Sequence, residues 1–231
     1  MSVLVAENIS YRDRLRPSSF TLERGFTTFF GPSGSGKTTA ARLLIGALGL
    51  SSGQIRHLSP AGRTLLEIKT EHRSLKSRLR LETRQNRIVK SYIARYCGYV
   101  AQTPEPPTDM TVEDYIYNVR TAMGNKLDPL YVAQLLERLG IANKSRKIAS
   151  EQSGGEQQRT AIAFALANKP TLLVADEPNA SLDSATGNEV LELTRSLADE
   201  GTSVLWITHT PEHQAYADHL LTAKDGIVRS A

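Results

Sequence analysis

The chain has 231 residues, 40% of them hydrophobic, with ordinary numbers of glycine and proline. This length and composition allow a packed α/β domain with a smaller attached lobe, and they exclude a wholly disordered chain. No apolar run approaches the roughly 18 residues that a membrane-spanning helix needs, and the charged N-terminus does not resemble a secretion signal. Because Cys97 is the only cysteine, an internal disulfide is excluded and a reducing cytosol is expected.

The net charge of +4 is distributed unevenly along the chain. Residues 69–95 contain nine Lys or Arg and two Glu, a charge of +7, which leaves −3 for the remainder. A protein that coats nucleic acid would be basic over a wider surface, so this class of function is disfavoured.

Short β-branched or aromatic runs bounded by turn residues predict eight strands. In chain order these are Val3–Val5, Phe26–Phe30, Gln54–Leu58, Thr64–Ile68, Tyr96–Val100, Leu172–Ala175, Ser203–Ile207 and Gly226–Arg229. Ser59-Pro60-Ala61-Gly62 predicts a hairpin turn, and therefore an early antiparallel sheet. The runs at 172–175 and 204–207 are apolar on both faces, which indicates strands buried in a parallel sheet.

Helical patterns fill the spaces between these strands. The predicted helices are Lys37–Leu48, Val112–Met123, Pro129–Leu139, Gly154–Ala167 and Ala185–Glu200. Strands and helices alternate at both ends of the chain, whereas helices dominate the middle. This order predicts an α/β fold in which a helical lobe is inserted into the core.

A glycine-rich loop follows the strand that ends at Phe30 and opens the first predicted helix. It fits the pattern G-x-x-x-x-G-K-[ST], in which glycines let successive backbone N–H groups turn toward phosphate oxygens. Lys37 supplies positive charge to the β- and γ-phosphates of ATP, and the Thr38 hydroxyl is placed to bind Mg²⁺. The loop predicts a P-loop NTPase whose nucleotide-binding residues are Gly31, Ser33, Gly34, Ser35, Gly36, Lys37, Thr38 and Thr39.

Two adjacent carboxylates, Asp176 and Glu177, follow the apolar run that begins at Leu172. Unpaired charge at a buried strand end is costly, so a cation is expected beside them. Asp176 is predicted to hold Mg²⁺ through water. Glu177, on the opposite side of an extended chain, is predicted to polarise the attacking water.

The segment from Ser153 to Arg159 resembles the signature motif of the ATP-binding cassette (ABC) family and opens a second helix with glycines. With the phosphate loop and the acidic pair, it identifies the chain as a member of that family. The resemblance implies that Ser153, Gly154 and Gly155 present a helix N-terminus to the γ-phosphate of ATP on the partner subunit. It therefore implies two composite sites in a head-to-tail dimer.

Four further positions match motifs of the family. The resemblance implies that Gln102 contacts Mg²⁺, and that the aspartate of Ser181-Leu182-Asp183 crosses the dimer interface. It implies that His209 contacts the γ-phosphate and holds the catalytic glutamate and water. Tyr11 stands where the family stacks an aromatic ring on adenine, with an ordinary surface or core tyrosine as the alternative. The expected catalytic residues are Glu177, His209 and Lys37, and the expected metal ligands are Thr38, Gln102 and Asp176.

The chain departs from the family pattern at four positions, none of which removes a group that hydrolysis requires. Gln152 replaces a usual Leu and Glu156 a usual Gln, while Asn179 and Thr210 stand where Thr and Asp are common. The Glu-Gln-Gln-Arg continuation of the signature is common in cassettes of lipoprotein- and macrolide-export systems. The resemblance is therefore nearest to that type.

We expect a single ABC ATPase domain over residues 1–231, with an antiparallel β subdomain and an inserted helical subdomain. Its RecA-like core, including the early β subdomain, comprises 1–101 and 151–231, and the helical subdomain 102–150 continues into the signature helix. A basic helical insertion is predicted at 69–95, where apolar residues fall near helical spacing. Three hypotheses remain open for it: a solvated helix, a surface for acidic lipids or a membrane subunit, or a nucleic-acid site with Tyr92 as the only base-stacking candidate.

The resemblance implies an ATPase subunit that energises transport through a separate membrane permease. As partners it implies that permease and a second copy or a related ATPase, at the inner face of the cell membrane. The alternatives are a soluble cassette ATPase that acts on nucleic acid or in a multiprotein assembly, and a regulatory nucleotide-binding module without turnover. The transported substrate and the direction of transport are not encoded in these motifs.

Overall fold

The computed structural model describes residues 1–70, 87–180 and 182–231. The chain forms two compact units, one of Met1–Ala94 with Leu205–Ala231 and the other of Arg95–Val204. Among the described residues, no helix combines the length and the apolar character needed to cross a bilayer.

Ten strands and six helices carry the described fold. In chain order they are β1 (Ser2–Tyr11), β2 (Leu15–Glu23), β3 (Phe26–Phe30), α1 (Lys37–Leu44), β4 (Ser52–Leu58), β5 (Thr64–Lys69), α2 (described over 87–96), β6 (Cys97–Val100), α3 (Val112–Ala122), α4 (Pro129–Arg138), α5 (Gly154–Leu166), β7 (Leu172–Asp176), α6 (Ser184–Asp199), β8 (Ser203–Thr208), β9 (His219–Lys224) and β10 (Ile227–Ser230).

The first unit contains an antiparallel sheet of order β2-β1-β4-β5, as the predicted early hairpin requires. That turn is confirmed, because the Ser59 N–H donates to Arg63 O at 2.8 Å and the Gly62 N–H donates to Ser59 O at 2.9 Å. β2 was missed because Pro17 argues against a strand, but a proline is tolerated where the strand lies at the sheet edge. β1 is longer than predicted because irregularities in its pairing interrupt the alternating pattern near Asn8, whose φ is +49°.

A second sheet in this unit has the order β10-β9-β3-β8. β3 pairs with β9 in parallel, and β9 pairs with β10 antiparallel. β8 is buried along its whole length, as its apolar sequence predicts. β9 was not predicted because it is only partly buried, and His219 and Lys224 at its ends hide the strand pattern. The phosphate loop follows the end of β3, and His209 follows the end of β8.

The predicted basic insertion is described only at its C-terminal end. Lys69, the first residue of that prediction, is instead the last residue of β5, and residues 71–86 lie outside the described residues. In α2, Val89 packs so closely on the turn after α1 that a Cβ on Gly46 would lie 2.6 Å from Val89 Cγ1. Tyr92 meets the His57 ring edge-on at 5.3 Å. The described part of α2 is therefore packed against the β subdomain and the end of α1.

The φ of +63° at Gly46 explains why α1 ends at Leu44 rather than at the predicted Leu48. His57 reinforces this end, since its ring Nε2 lies 2.9 Å from Leu44 O. Burial lowers the pKa of His57 to about 4, so the ring is neutral at physiological pH and Nε2 donates.

The second unit pairs β6 and β7 in parallel, in the register Cys97 with Leu172. Helices α3 and α5 pack together, with the rings of Tyr115 and Phe164 4.1 Å apart. A buried guanidinium, Arg120, donates to Ala167 O at 2.6 Å and so ties α3 to the end of α5. All five residues of β7 are buried, as expected for a strand apolar on both faces.

Helix α5 begins with a capping box formed by Ser153 and Glu156. Glu156 Oε2 accepts from the Ser153 backbone N–H at 3.0 Å, and Glu156 Oε1 lies 2.8 Å from Lys144 Nζ. The bond to Lys144, followed by the bond to Ser153, lowers the pKa of Glu156 to about 2. Glu156, a departure from the family pattern, therefore fixes the start of the predicted signature helix.

We predict that this cap stabilises the fold only while Glu156 is ionised. The lowered pKa means that its contribution is present above the ordinary value of 4.5 and is lost as the pH falls through about 2. Urea midpoints of the native chain and of Glu156→Gln should differ most above pH 4.5 and converge toward pH 2. A difference that is constant over this range would contradict the charged cap.

Candidate functional site

The phosphate loop is shaped by two glycines that no other residue could replace without strain. A Cβ on Gly31 would lie 2.3 Å from Ala223 O, closer than real Cβ contacts allow. Gly36 has a φ of +100°, and a Cβ there would lie 3.0 Å from Arg14 O. The loop therefore passes directly against neighbouring backbone before α1 begins at Lys37.

Helix α1 offers an electrostatic setting that favours an anion at its N-terminus. Its first turn contains no acidic residue, so no carboxylate of that turn offsets the positive end of the helix dipole. Ser35 Oγ is buried and has no hydrogen-bond partner among the described residues. A buried polar atom of this kind is normally bonded, so the loop fits a phosphate group that would supply the acceptor.

Lys37 closes the loop on itself. Its Nζ donates to Gly31 O at 2.7 Å and to Pro32 O at 2.9 Å, and the residue is only 4% exposed. These two carbonyls hold the ammonium inside the curve of the loop. The cation is thus already at the position from which it could meet phosphate oxygens.

Tyr11 and His209 lie in the same unit as the phosphate loop. Tyr11 ends β1, and the turn that follows it is closed by the Arg14 N–H donating to Tyr11 O at 3.0 Å. This turn approaches the phosphate loop at Gly36. The Arg12 guanidinium carbon lies 5.2 Å from the centre of the Tyr11 ring, a cation–π geometry. His209 is exposed and follows β8 directly.

The second unit places the acidic pair at the end of β7. Asp176 is 2% exposed, and its Oδ2 accepts from the Tyr99 hydroxyl at 3.3 Å. Tyr99 was missed in the sequence, because only the parallel register of β6 and β7 brings it beside this strand. The expectation of an extended chain through Glu177 is wrong, since β7 ends at Asp176 and Glu177 has a φ of +47°.

The left-handed backbone at Glu177 is uncommon for a residue with a side chain. Gln102 Nε2 donates to Glu177 Oε2 at 3.2 Å, although 75 residues separate the two. Glu177 is half-buried and Gln102 is exposed. Strained backbone of this kind is characteristic of functional sites, where surrounding contacts hold a side chain in a required direction.

The predicted signature residues form an exposed helix start. Ser153 and Gly154 are exposed, and a Cβ on Gly154 would meet nothing within 4 Å among the described residues. Asp183 caps the next helix, α6, by accepting from the N–H groups of Ala185 and Thr186 at 3.1 Å. The bonds to Thr186, followed by that to Ala185, lower the pKa of Asp183. Ser181 lies outside the described residues.

The residues proposed for Mg²⁺ offer the right chemistry. Thr38, Gln102 and Asp176 supply hydroxyl, amide and carboxylate oxygens, which are the ligands that Mg²⁺ prefers. Within the described ranges, no group of three His, Cys, Asp or Glu side chains is arranged to hold a metal. Proteins usually hold Mg²⁺ with one or two carboxylates while the nucleotide's phosphates supply other ligands, so the single carboxylate of Asp176 would be enough for this ion.

The sequence of this chain is similar to those of a known protein family. The sequence profile of the family described as "ABC transporter" matches residues 15–180. The cell division ATP-binding protein FtsE of Mycobacterium tuberculosis is 32% identical over 206 residues, which are 86% of this chain and 81% of that protein.

Two export systems contain similar chains. The macrolide export ATP-binding/permease protein MacB of Aggregatibacter actinomycetemcomitans is 30% identical over 219 residues, 94% of this chain but 31% of that protein. The lipoprotein-releasing system ATP-binding protein LolD of a Shewanella species is 47% identical over 97 residues, 42% of each chain. The predicted likeness to lipoprotein- and macrolide-export cassettes is confirmed.

The fold agrees with these sequence relatives. The dimeric structure of MJ0796, described as a bacterial ABC transporter cassette, superposes with a TM-score of 0.79 at 22% identity, covering 99% of this chain and 97% of that one. The predicted P-loop NTPase fold of the ABC ATPases is confirmed, and the soluble-assembly alternative is not favoured. The chain belongs to the ATP-binding subunits of the ABC transporter family, which bind and hydrolyse ATP.

Proposed function

We propose that this chain binds Mg·ATP and hydrolyses it in a head-to-tail dimer that drives a separate membrane permease. The observation that carries the proposal is the exposed glycine start of α5. Gly154 has no positive φ, and a Cβ there would meet nothing within 4 Å among the described residues. Neither its own backbone nor packing within the described chain requires glycine at this position.

A glycine that the fold does not need is costly at a helix start, because alanine is the better helix former. The glycine would be explained if a group of another molecule comes close to this helix start. We infer that the backbone N–H groups of Gly154 and Gly155 face the γ-phosphate of ATP held by the phosphate loop of a second copy, with Ser153 beside them. Asp183, at the start of α6, would lie at the same interface.

The phosphate loop would hold the nucleotide with its backbone amides and with Lys37. In this proposal the Lys37 ammonium exchanges its bonds to Gly31 O and Pro32 O for phosphate oxygens, which carry full negative charge. Ser33, Gly34, Ser35, Gly36 and Thr39 would contribute loop donors. Tyr11 would stack on adenine on the ring face away from Arg12.

Glu177 would act as the general base. The bond from Gln102 and the left-handed backbone hold its carboxylate in one direction, which suits a group that must orient a single water. When bound, Mg²⁺ would supply positive charge to the phosphates at Thr38, Gln102 and Asp176. The Gln102 amide N–H donates to Glu177, so its carbonyl oxygen is the atom suited to the cation. His209 would contact the γ-phosphate.

The permease would be a separate polypeptide. FtsE, of which this chain covers 81%, and LolD are both named as ATP-binding proteins, which supports a permease on another chain. A chain of this type would work at the inner face of the cell membrane by attachment to its permease. The dimeric MJ0796 cassette supports a dimer as the working state.

The first test removes the general base. We predict that Glu177→Gln lowers ATP hydrolysis at least about 100-fold while ATP affinity stays within about twofold, because only the proton acceptor is lost. With Mg·ATP the variant should elute as a dimer in size-exclusion chromatography with light scattering. Glu192→Gln, at an exposed carboxylate on α6, is the matched control and should behave as the native chain. Normal turnover by Glu177→Gln would refute the assignment.

The second test separates folding from dimer function at Gly154. Gly154→Ala adds a methyl group to open space, so its urea midpoint should match or exceed that of the native chain. Hydrolysis should nevertheless fall on the order of tenfold or more, because the methyl group would stand between the helix start and the partner's phosphate.

Gly49→Ala is the control for Gly154→Ala, since a Cβ on Gly49 also meets nothing within 4 Å among the described residues and its φ is not positive. It should leave the urea midpoint unchanged and the rate of ATP hydrolysis within about twofold of that of the native chain. If Gly154→Ala hydrolyses ATP as fast as Gly49→Ala, the helix start does not face a phosphate.

A further inference from the structure

A buried histidine stands beside the exposed His209. His213 lies on a short 3₁₀ helix, Pro211–Tyr216, that follows β8 after two residues. It is 7% exposed, and its ring meets Trp206 edge-to-face at 5.9 Å. No motif of the sequence assigns it a role, although a buried ionisable ring needs partners for its nitrogens.

The partners of His213 fix its tautomer. Trp206 Nε1 lies 3.3 Å from His213 Nδ1, and an indole nitrogen can only donate. Nδ1 must therefore be the acceptor, which places the ring proton on Nε2 and leaves the ring neutral. Thr208 Oγ1 lies 2.9 Å from the same nitrogen, so its hydroxyl also donates to Nδ1.

The bond to Thr208 continues into the backbone around His209. Thr208 Oγ1 accepts from the Thr210 N–H at 3.0 Å while its own hydroxyl proton points to His213. A chain of hydrogen bonds thus runs from the Thr210 N–H through the Thr208 hydroxyl to His213 Nδ1. The bonds within such a chain strengthen one another. His209 is the single residue between the two threonines.

The other end of this arrangement is anchored in the sheet. Thr28, buried on β3, donates its hydroxyl to His213 O at 3.2 Å. Trp206 is fully buried on β8, and its ring lies 6.0 Å from that of Phe26. His213 is consequently fixed to two strands, and through Thr208 it fixes the turn that presents His209.

We propose that His213 is a positioning residue for His209, and that its unprotonated Nδ1 holds the backbone of residues 208–210 in the conformation that hydrolysis requires. The proposal rests on the proposed role of His209. It concerns geometry alone, since His213 itself touches neither nucleotide nor water in this account.

Protonation of His213 would break the arrangement, because Nδ1–H can accept neither the Trp206 N–H nor the Thr208 hydroxyl proton. Burial is the main reason why the pKa of His213 is lowered from 6.5, followed by the opposing effects of Glu212, which raises it, and His209, which lowers it. The ring is therefore neutral at pH 7. The bonds from Trp206 and Thr208 to His213 Nδ1 are lost only as the pH falls below 6.5 through the lowered pKa.

The test compares two substitutions of His213 that differ in whether the new side chain can accept a hydrogen bond. His213→Phe keeps a planar ring without an acceptor, whereas the amide oxygen of His213→Gln can still accept from Thr208. We expect His213→Phe in the full chain to lower kcat for ATP hydrolysis on the order of 10- to 100-fold, with KM for ATP within about twofold. His213→Gln should recover most of kcat, and its rate should lose less than that of the native chain as the pH falls through the lowered pKa of His213.

The control is His219→Phe, which removes an exposed histidine of the same unit whose Nε2 lies 3.1 Å from Arg24 O. It should leave kcat unchanged. Thr208→Val, which removes only the hydroxyl, serves as the second variant if His213→Phe does not fold, and it should lower kcat in the same way.

A double-mutant cycle with His209→Ala decides whether His213 acts through His209. His213→Phe should cause no further loss of kcat once His209 is replaced. Unchanged kcat in His213→Phe or Thr208→Val, or a full additional loss in the His209→Ala background, would overturn the inference. If His209→Ala alone hydrolyses ATP normally, the proposed role of His209 fails and this inference fails with it.

Discussion

Nucleotide binding in the proposed dimer depends on one property of α-helices, namely that the first backbone N–H groups have no partner within the helix. Among the described helices, α1 follows Gly36 and α5 begins at Gly154, and an added Cβ would have different consequences at these two positions. At Gly36 the φ of +100° and the 3.0 Å between an added Cβ and Arg14 O mean that the fold itself requires the glycine. At Gly154 an added Cβ would meet open space within the described chain. The glycine before α1 is therefore explained by packing within the chain, whereas Gly154 is explained by a phosphate group that would approach from a second subunit.

The remaining site residues are held by neighbours rather than by their own sequence context. Gln102 and the strained backbone orient Glu177, and Tyr99 bonds to Asp176. Thr208 and its partners brace the turn at His209. Chemistry of this kind needs positioning and charge stabilisation more than reactive groups, so the orienting contacts carry much of the function.

The sequence predicts those parts of the molecule that local patterns determine. β3, β7 and the phosphate loop are predicted because a β-branched and aromatic run, an apolar run and a fixed glycine spacing are each visible in one short window. β2 and β9 were not predicted, because Pro17 and polar strand ends obscure them. The bond between Gln102 and Glu177 joins residues 75 positions apart, and the left-handed backbone at Glu177 has no local signal. Both depend on tertiary packing that no sequence period reports.

We propose that one nucleotide is held by the phosphate loop of one subunit and the α5 start of the other. The most direct measurement is the structure of the Glu177→Gln protein with Mg·ATP bound. We expect a dimer in which the N–H groups at residues 154 and 155 lie about 3 Å from γ-phosphate oxygens bound across the interface. A nucleotide-loaded complex in which the start of α5 is remote from any phosphate would contradict it.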